Sequence, residues 1–139
     1  MNAALGIHVG TDIESIADVA ASLDRWGERY ARRLFTDDEI ADCGLTPSAA
    51  PRLTARFAAK EAVIKLLAPG DRPADAVPRW RSIEVRTAPN GAPSMILHDE
   101  AADQAAERGI HELSVSLAHA AGIGTATVVA LAQTEQGRA

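Results

Sequence analysis

Aromatic side chains are scarce in this 139-residue chain, with two tryptophans, two phenylalanines and one tyrosine, so a core has to be built from alanine, valine, isoleucine and leucine. A single cysteine, Cys43, excludes a disulfide framework and a thiolate metal cage. No apolar run is long enough to span a bilayer, and no signal peptide opens the chain. A cytoplasmic protein without a membrane partner is therefore expected. An excess of positive charge is also missing. Fourteen Lys and Arg against nineteen Asp and Glu give a formal net charge of −5, which argues against a general nucleic-acid or anionic-membrane binder. A local basic cluster could still hold a small anion. There is no internal repeat and no low-complexity segment. A 47% hydrophobic and 24% charged composition at this length predicts one globular domain over residues 1–132, with 133–139 as a frayed tail.

What the chain does contain is organised around residues 56–67, RFAAKEAVIKLL. At about 100° per residue, Phe57, Ala58, Ala59, Ala62, Val63, Ile64, Leu66 and Leu67 cover most of a helix circumference, the pattern of a buried helix. Glu61 and Lys65 sit inside it, one turn apart. Buried, a carboxylate there must be paired or bind a cation; on an exposed helix the two would be an ordinary i,i+4 pair. Lys60 reads as a solvated or helix-packing lysine. Pro51 suits a first helical turn, with Ser48 or Ala50 near the cap, and Pro69-Gly70 predicts the stop.

Residues 4–13 alternate as a half-buried strand does, Ile7, Val9, Thr11 and Ile13 on one face and Gly6, His8, Gly10 and Asp12 on the other. Two glycines beside an acid mark a close approach by a ligand or another backbone. Ser15 predicts the cap of a short helix with Asp18 in its first turn, and a second helix is expected from about Leu23 to Leu34. Arg25, Arg29, Arg32 and Arg33 on that helix make either a solvated face or a docking surface for an acidic partner. Thr36-Asp37-Asp38-Glu39 is a capping box for a helix ending near Cys43-Gly44. Residues 69–79 form a Pro- and Asp-rich loop. Strands follow at Trp80–Thr87 and Ser94–Leu97 around a Pro89-Asn90-Gly91 turn, then a helix over His98–Arg108 ended by Gly109. Strands over Glu112–Ala118 and Thr125–Ala132 close the chain, joined by His119–Gly124.

Three separated stretches, GTDIESI at 10–16, RFAAKEAVIK at 56–65 and VSLAH at 115–119, resemble the motifs of bacterial holo-acyl-carrier-protein synthases, the small class of 4′-phosphopantetheinyl transferases. FTDDE at 35–39 and NGAP at 90–93 extend the similarity, which covers nearly the whole chain in order. The resemblance implies an α+β fold of that transferase type, an antiparallel or mixed sheet packed on a long buried helix. It also implies a homotrimer with sites between subunits. The implied reaction is Mg²⁺-dependent transfer of 4′-phosphopantetheine from coenzyme A to a serine of an apo acyl carrier protein, with release of 3′,5′-ADP. By motif, Asp12 and Glu61 are the metal carboxylates and, with Lys65, the catalytic set. Lys65 would face the pyrophosphate, Arg56 and His119 would hold coenzyme A phosphates or position the attack, and the turn with Gly91 and Pro93 would approach the nucleotide of coenzyme A. The base that takes the serine proton is left open among Glu61, Asp12 and a water on the metal.

The sequence departs from the family pattern in three places. Asp18 stands where many members have an arginine that meets the carrier. Ala118 and Ala120 stand where serine and an acid are common. These departures bear on the carrier, which could serve fatty-acid or polyketide synthesis. They also keep in view a non-catalytic homologue that binds coenzyme A or a carrier as an assembly module; a small metal-dependent nucleotide hydrolase using the same carboxylates is the other alternative.

Overall fold

The computed structural model describes residues 4–68 and 73–134. In chain order the elements are β1 (Ala4–Ser15), α1 (Ile16–Trp26), α2 (Glu28–Leu34), α3 (Asp37–Cys43), α4 (Ala50–Leu67), β2 (Ile83–Thr87), β3 (Pro93–Leu97), α5 (Asp99–Glu107), β4 (Ile110–Ala120) and β5 (Ile123–Thr134). Strands β1, β5 and β4, in that spatial order, make an antiparallel sheet, and β2 and β3 make a separate antiparallel hairpin. The α+β expectation holds, with the sheet wholly antiparallel. The predicted stop at Pro69-Gly70 and the start of the 69–79 loop lie outside the described residues, as do 135–139. Gln133 and Thr134, expected in the tail, instead continue β5, and the Gln133 amide donates to the Gly109 carbonyl at 3.0 Å.

Helix α4 packs on the inner face of the sheet, and small side chains let it come close. Ala58, Ala59, Ala62 and Val63 meet Ala126, Val128 and Ala130 of β5 in a dry layer. At Gly10 the approach is so tight that a Cβ would lie 2.0 Å from the Ala62 carbonyl oxygen. At Gly124 it would lie 2.8 Å from Thr54 Cγ2. The Gly6, His8, Gly10 and Asp12 face of β1 is therefore the covered one. Its apolar face is open: Leu5, Ile7, Val9 and Ile13 are 62–73% exposed, beside Val129 and Ile123 of β5. The alternation is as predicted, but the half-buried strand turns its glycine face to the helix, because only that face admits another backbone.

Local signals account for most helix ends. Ser15 Oγ accepts from the Asp18 amide at 3.2 Å, and Thr36 and Glu39 form the reciprocal capping box. The helix expected over Leu23–Leu34 is instead broken. Leu23–Trp26 belong to α1, and Gly27, at φ 56° and ψ −136°, separates it from α2, a conformation in which glycine is favoured. Trp80–Ser82 form a 3₁₀ turn before β2, which shortens the predicted strand. His119 lies in β4 opposite Gly124, so the β4–β5 link is only Ala121-Gly122.

Lys60 is fully buried and not solvated. Its ammonium pairs with the equally buried Glu39 at 2.7 Å and donates to the carbonyls of Trp80 and Ile83. Glu39 Oε2 also accepts from the Val85 amide at 3.1 Å. Burial pulls the Lys60 ammonium below its usual pKa, and Glu39 opposes that pull.

Candidate active site

Period-two geometry puts Asp12 and Glu14 on the same face of β1, at the edge of the α4 contact. The Asp12 side chain is 10% exposed; its Oδ1 accepts from Lys65 Nζ at 2.7 Å, and Lys65 also reaches the Thr11 carbonyl at 3.1 Å. Asp12 Oδ2 is buried and has no hydrogen-bond partner. Lys65 thus pairs across to the strand, and among the described residues no Glu61–Lys65 ion pair forms. The hydrogen bond from Asp12, first of all, holds the Lys65 ammonium above its usual pKa.

Glu61, one turn before Lys65 on the same side of α4, takes its partner from the turn before β2. Its Oε1 accepts from the Trp80 indole at 2.6 Å, while Oε2 has no hydrogen-bond partner among the described residues. The carboxylate opens onto a cleft of about 530 Å³ lined by Arg33, Ile64, Val77, Trp80 and Arg81. Glu14 joins the group: burial above all, then the Asp12 carboxyl close beside it and the charges of Asp12 and Glu61, push its carboxyl up to about 7. Three carboxyl groups therefore crowd one ammonium. Neither Glu14 nor Trp80 was singled out as a site residue from sequence. Glu14 had a usable signal, since it follows Asp12 by two on a strand. The Trp80 partnership is tertiary, and the general tendency of a part-buried indole to find an acceptor does not say which one.

Among the described residues no cluster of three side chains is arranged to ligate a metal. The donor set still fits Mg²⁺. That ion is usually held by one or two protein carboxylates, keeping waters and substrate phosphates as its other ligands. An orphaned, buried Asp12 oxygen and a half-satisfied Glu61 carboxylate are the hard oxygen donors it takes.

The remaining predicted residues gather elsewhere. Arg56 and Lys65 are nine positions apart on α4, and Arg56 faces β2, where its guanidinium donates to Thr87 Oγ1 at 2.7 Å; its buried Nε has no partner. Arg52, Arg56, Thr87, Gly91, Pro93 and Ser116 line a groove of about 330 Å³. Gly91 has φ 86° in the β2–β3 turn, which Asn90 Oδ1 steadies by accepting from the Ala92 amide at 3.0 Å. His119 is exposed at the end of β4. Because β5 lies between β1 and β4, His119 and Asp12 are at least two strand spacings, about 10 Å, apart. One chain thus presents an acidic cluster on one side of α4 and a basic groove on the other.

A third concavity, lined by Ser22, Trp26, Arg29, Tyr30 and Arg33, lies along α1 and α2. Burial raises the Tyr30 phenol, and Glu14 adds to the effect, so this surface borders the acidic cluster. Asp18 is exposed near the start of α1. No described helix is long and apolar enough to cross a membrane.

Residues 8–128 match the family model described as the 4′-phosphopantetheinyl transferase superfamily. A holo-[acyl-carrier-protein] synthase of Dehalococcoides mccartyi is 41% identical over 127 residues, covering 89% of this chain and 98% of that protein. Among solved structures, acyl carrier protein synthase of Mycobacterium tuberculosis superposes with a TM-score of 0.71 at 35% identity, covering 91% of this chain and 99% of that one. The Helicobacter pylori holo-[acyl-carrier-protein] synthase, solved in complex with coenzyme A, gives a TM-score of 0.72 at 29% identity, covering 88% and 98%.

Proposed function

The chain belongs to the 4′-phosphopantetheinyl transferase superfamily, and from that premise we propose that it is a holo-acyl-carrier-protein synthase that moves 4′-phosphopantetheine from coenzyme A to a carrier serine in a Mg²⁺-dependent reaction. The observation that carries this reading is the Asp12–Lys65 contact at 2.7 Å with the second Asp12 oxygen buried and unpartnered, beside the Glu61 carboxylate. In the reaction the serine oxygen bonds to the β-phosphorus of coenzyme A, its proton is lost to a base, and the bond to the bridging oxygen breaks. 3′,5′-ADP leaves with the electron pair of that bond. Bound Mg²⁺ supplies charge neutralisation at the pyrophosphate. Asp12 and Glu61 would hold it from the strand and the helix. Lys65 supplies a positive charge against the negative charge that develops on the departing oxygen.

Phosphates and nucleotide of coenzyme A fit the groove of Arg52, Arg56, Gly91 and Pro93 better than the acidic side of the same chain. The two sides of α4 are far apart within one subunit. A homotrimer in which the acidic cluster of one subunit meets the basic groove of the next, with His119 at the junction, accommodates both. The open apolar face of β1 and β5 supports such an assembly, since contiguous exposed apolar surface marks an interface. Ile7→Glu/Val9→Glu should therefore leave the monomer fold intact by circular dichroism, but convert a trimer to monomers in light scattering and remove transfer. A wild-type monomer with full activity would contradict the assembly.

Intact-mass measurement with coenzyme A, Mg²⁺ and a panel of apo carriers tests the function. At least one carrier should gain one phosphopantetheinyl group. A protein that binds coenzyme A yet modifies no carrier would be the non-catalytic homologue instead. Lys65→Ala should lower kcat by about 100-fold with little change in the KM for coenzyme A, because its charge matters most in the transition state. A rise in KM at unchanged kcat would make Lys65 a ground-state binding residue.

A further inference from the structure

Trp80 is gripped at two points by adjacent residues of α4. Its indole Nε1 donates to Glu61 Oε1 at 2.6 Å, and its backbone carbonyl accepts from Lys60 Nζ at 3.1 Å. The ring is further fixed by an edge contact with Phe57, centroids 6.0 Å apart and planes at 64°. The turn that carries it, Trp80–Ser82, is closed by the Ser82 amide and hydroxyl, which donate to the Arg79 carbonyl at 3.0 and 2.6 Å. Behind this lies the buried Lys60–Glu39 pair, and none of its charged atoms is without a partner. The ammonium has three acceptors, and the Glu39 oxygens take the Lys60 ammonium and the amides of Thr36 and Val85. A satisfied buried network of this kind is rigid, since every group that moved would lose a partner in a low-dielectric site.

We propose that Trp80 is a positioning residue for Glu61: its indole fixes which carboxylate oxygen is turned toward the cation, and the Lys60–Glu39 pair fixes Trp80. A free glutamate side chain can present either oxygen and rotates about its terminal bond. With Oε1 held by the indole, Oε2 is the oxygen left for a ligand. Carboxylates that bind metals are commonly oriented by such outer hydrogen bonds, and removing one typically weakens metal affinity or activity about 10- to 100-fold. The proposal rests on the reading of Glu61 as a metal carboxylate, so its test must separate the two.

Direct Mn²⁺ binding, followed by electron paramagnetic resonance, does so for wild type, Trp80→Phe and Glu61→Gln. Phenylalanine keeps the ring contact with Phe57 and removes only the N–H. The expected result is Mn²⁺ binding about 10-fold weaker in Trp80→Phe, weaker still in Glu61→Gln, with the KM for coenzyme A in Trp80→Phe within about two-fold of wild type. Equal Mn²⁺ affinity in wild type and Trp80→Phe, with Glu61→Gln impaired, would overturn the positioning role alone. Equal affinity in all three would overturn the assignment of Glu61 and the proposal with it. Should Trp80→Phe fail to fold, Trp26→Phe leaves Trp80 as the sole tryptophan. Mn²⁺ should then quench Trp80 emission with the half-saturation seen by resonance, and no quenching at saturating Mn²⁺ would overturn the proposal.

Discussion

Asp12→Ala, Glu61→Ala and the double variant should all fall to the same floor, each losing transfer by about 10³-fold or more. If both carboxylates hold one cation, the first substitution already removes what the second would, so the losses do not add. Stability should move in a different direction from activity. Asp12 has one oxygen buried without a partner, and its other oxygen pairs with a lysine that is 56% exposed. An exposed pair of this kind contributes about 0–1 kcal/mol, while relief of an unsatisfied buried oxygen acts the other way. Glu14, crowded by Asp12, is relieved as well. The melting temperature of Asp12→Ala should therefore stay within a few degrees of wild type or rise, as is usual where a site is built for function. Additive losses in the double variant, or a collapse in melting temperature for Asp12→Ala, would contradict a shared cation held by an acid whose buried oxygen lacks a partner.

The largest effect on the fold is expected at Gly10. A Cβ there meets backbone, 2.0 Å from the Ala62 oxygen and 2.9 Å from its carbonyl carbon, with Leu66 Cβ at 3.2 Å. No rotamer change relieves a contact with backbone, so α4 has to move away from β1. Overpacking of a filled core commonly costs 1–3 kcal/mol, and Gly10→Ala belongs at the upper end, about 3 kcal/mol or about 10 °C in melting temperature. The same movement carries Glu61 and Lys65 away from Asp12, and a displacement of about 1 Å can cost about 100-fold in rate. Gly91→Ala is the contrast. Nothing lies within 4 Å of its Cβ, and only the positive φ opposes it, so a loss of about 1–2 kcal/mol is expected. Thermal melts and single-turnover transfer on the two variants check both figures.

The difference between these glycines was partly legible in the chain. Two glycines alternating with Asp12 announced a close approach, and the Asn90-Gly91 pair announced a turn. What could not be read was which face of β1 the sheet would cover. Alternation gives two faces, and the rule that apolar residues go inside would bury Ile7, Val9 and Ile13, which instead stay 62–73% exposed. The motif residues divide in the same manner. Asp12, Glu61 and Lys65 gather around one side of α4, whereas Arg56, Gly91 and Pro93 gather on the other, because a spacing of nine positions turns Arg56 and Lys65 to opposite sides of the helix. Lys60 defeated a local reading altogether. Its partner Glu39 is twenty-one positions away, and the capping box that made Glu39 visible gave no hint that its carboxylate also served a buried ammonium. Trp80 is of the same kind, a residue whose role arises only once α4 and the turn before β2 are in contact. The break at Gly27 carried a local signal, a glycine inside a helical pattern, that the expectation of one helix over Leu23–Leu34 passed over.

The most direct measurement is the release of 3′,5′-ADP from coenzyme A by the intact protein, followed with and without an apo carrier and with and without Mg²⁺. Transfer through Asp12, Glu61 and Lys65 requires one 3′,5′-ADP for each carrier that becomes modified, and none when either carrier or Mg²⁺ is withheld. Release that proceeds without a carrier would identify a hydrolase, and release that persists in excess chelator would remove the cation from between Asp12 and Glu61.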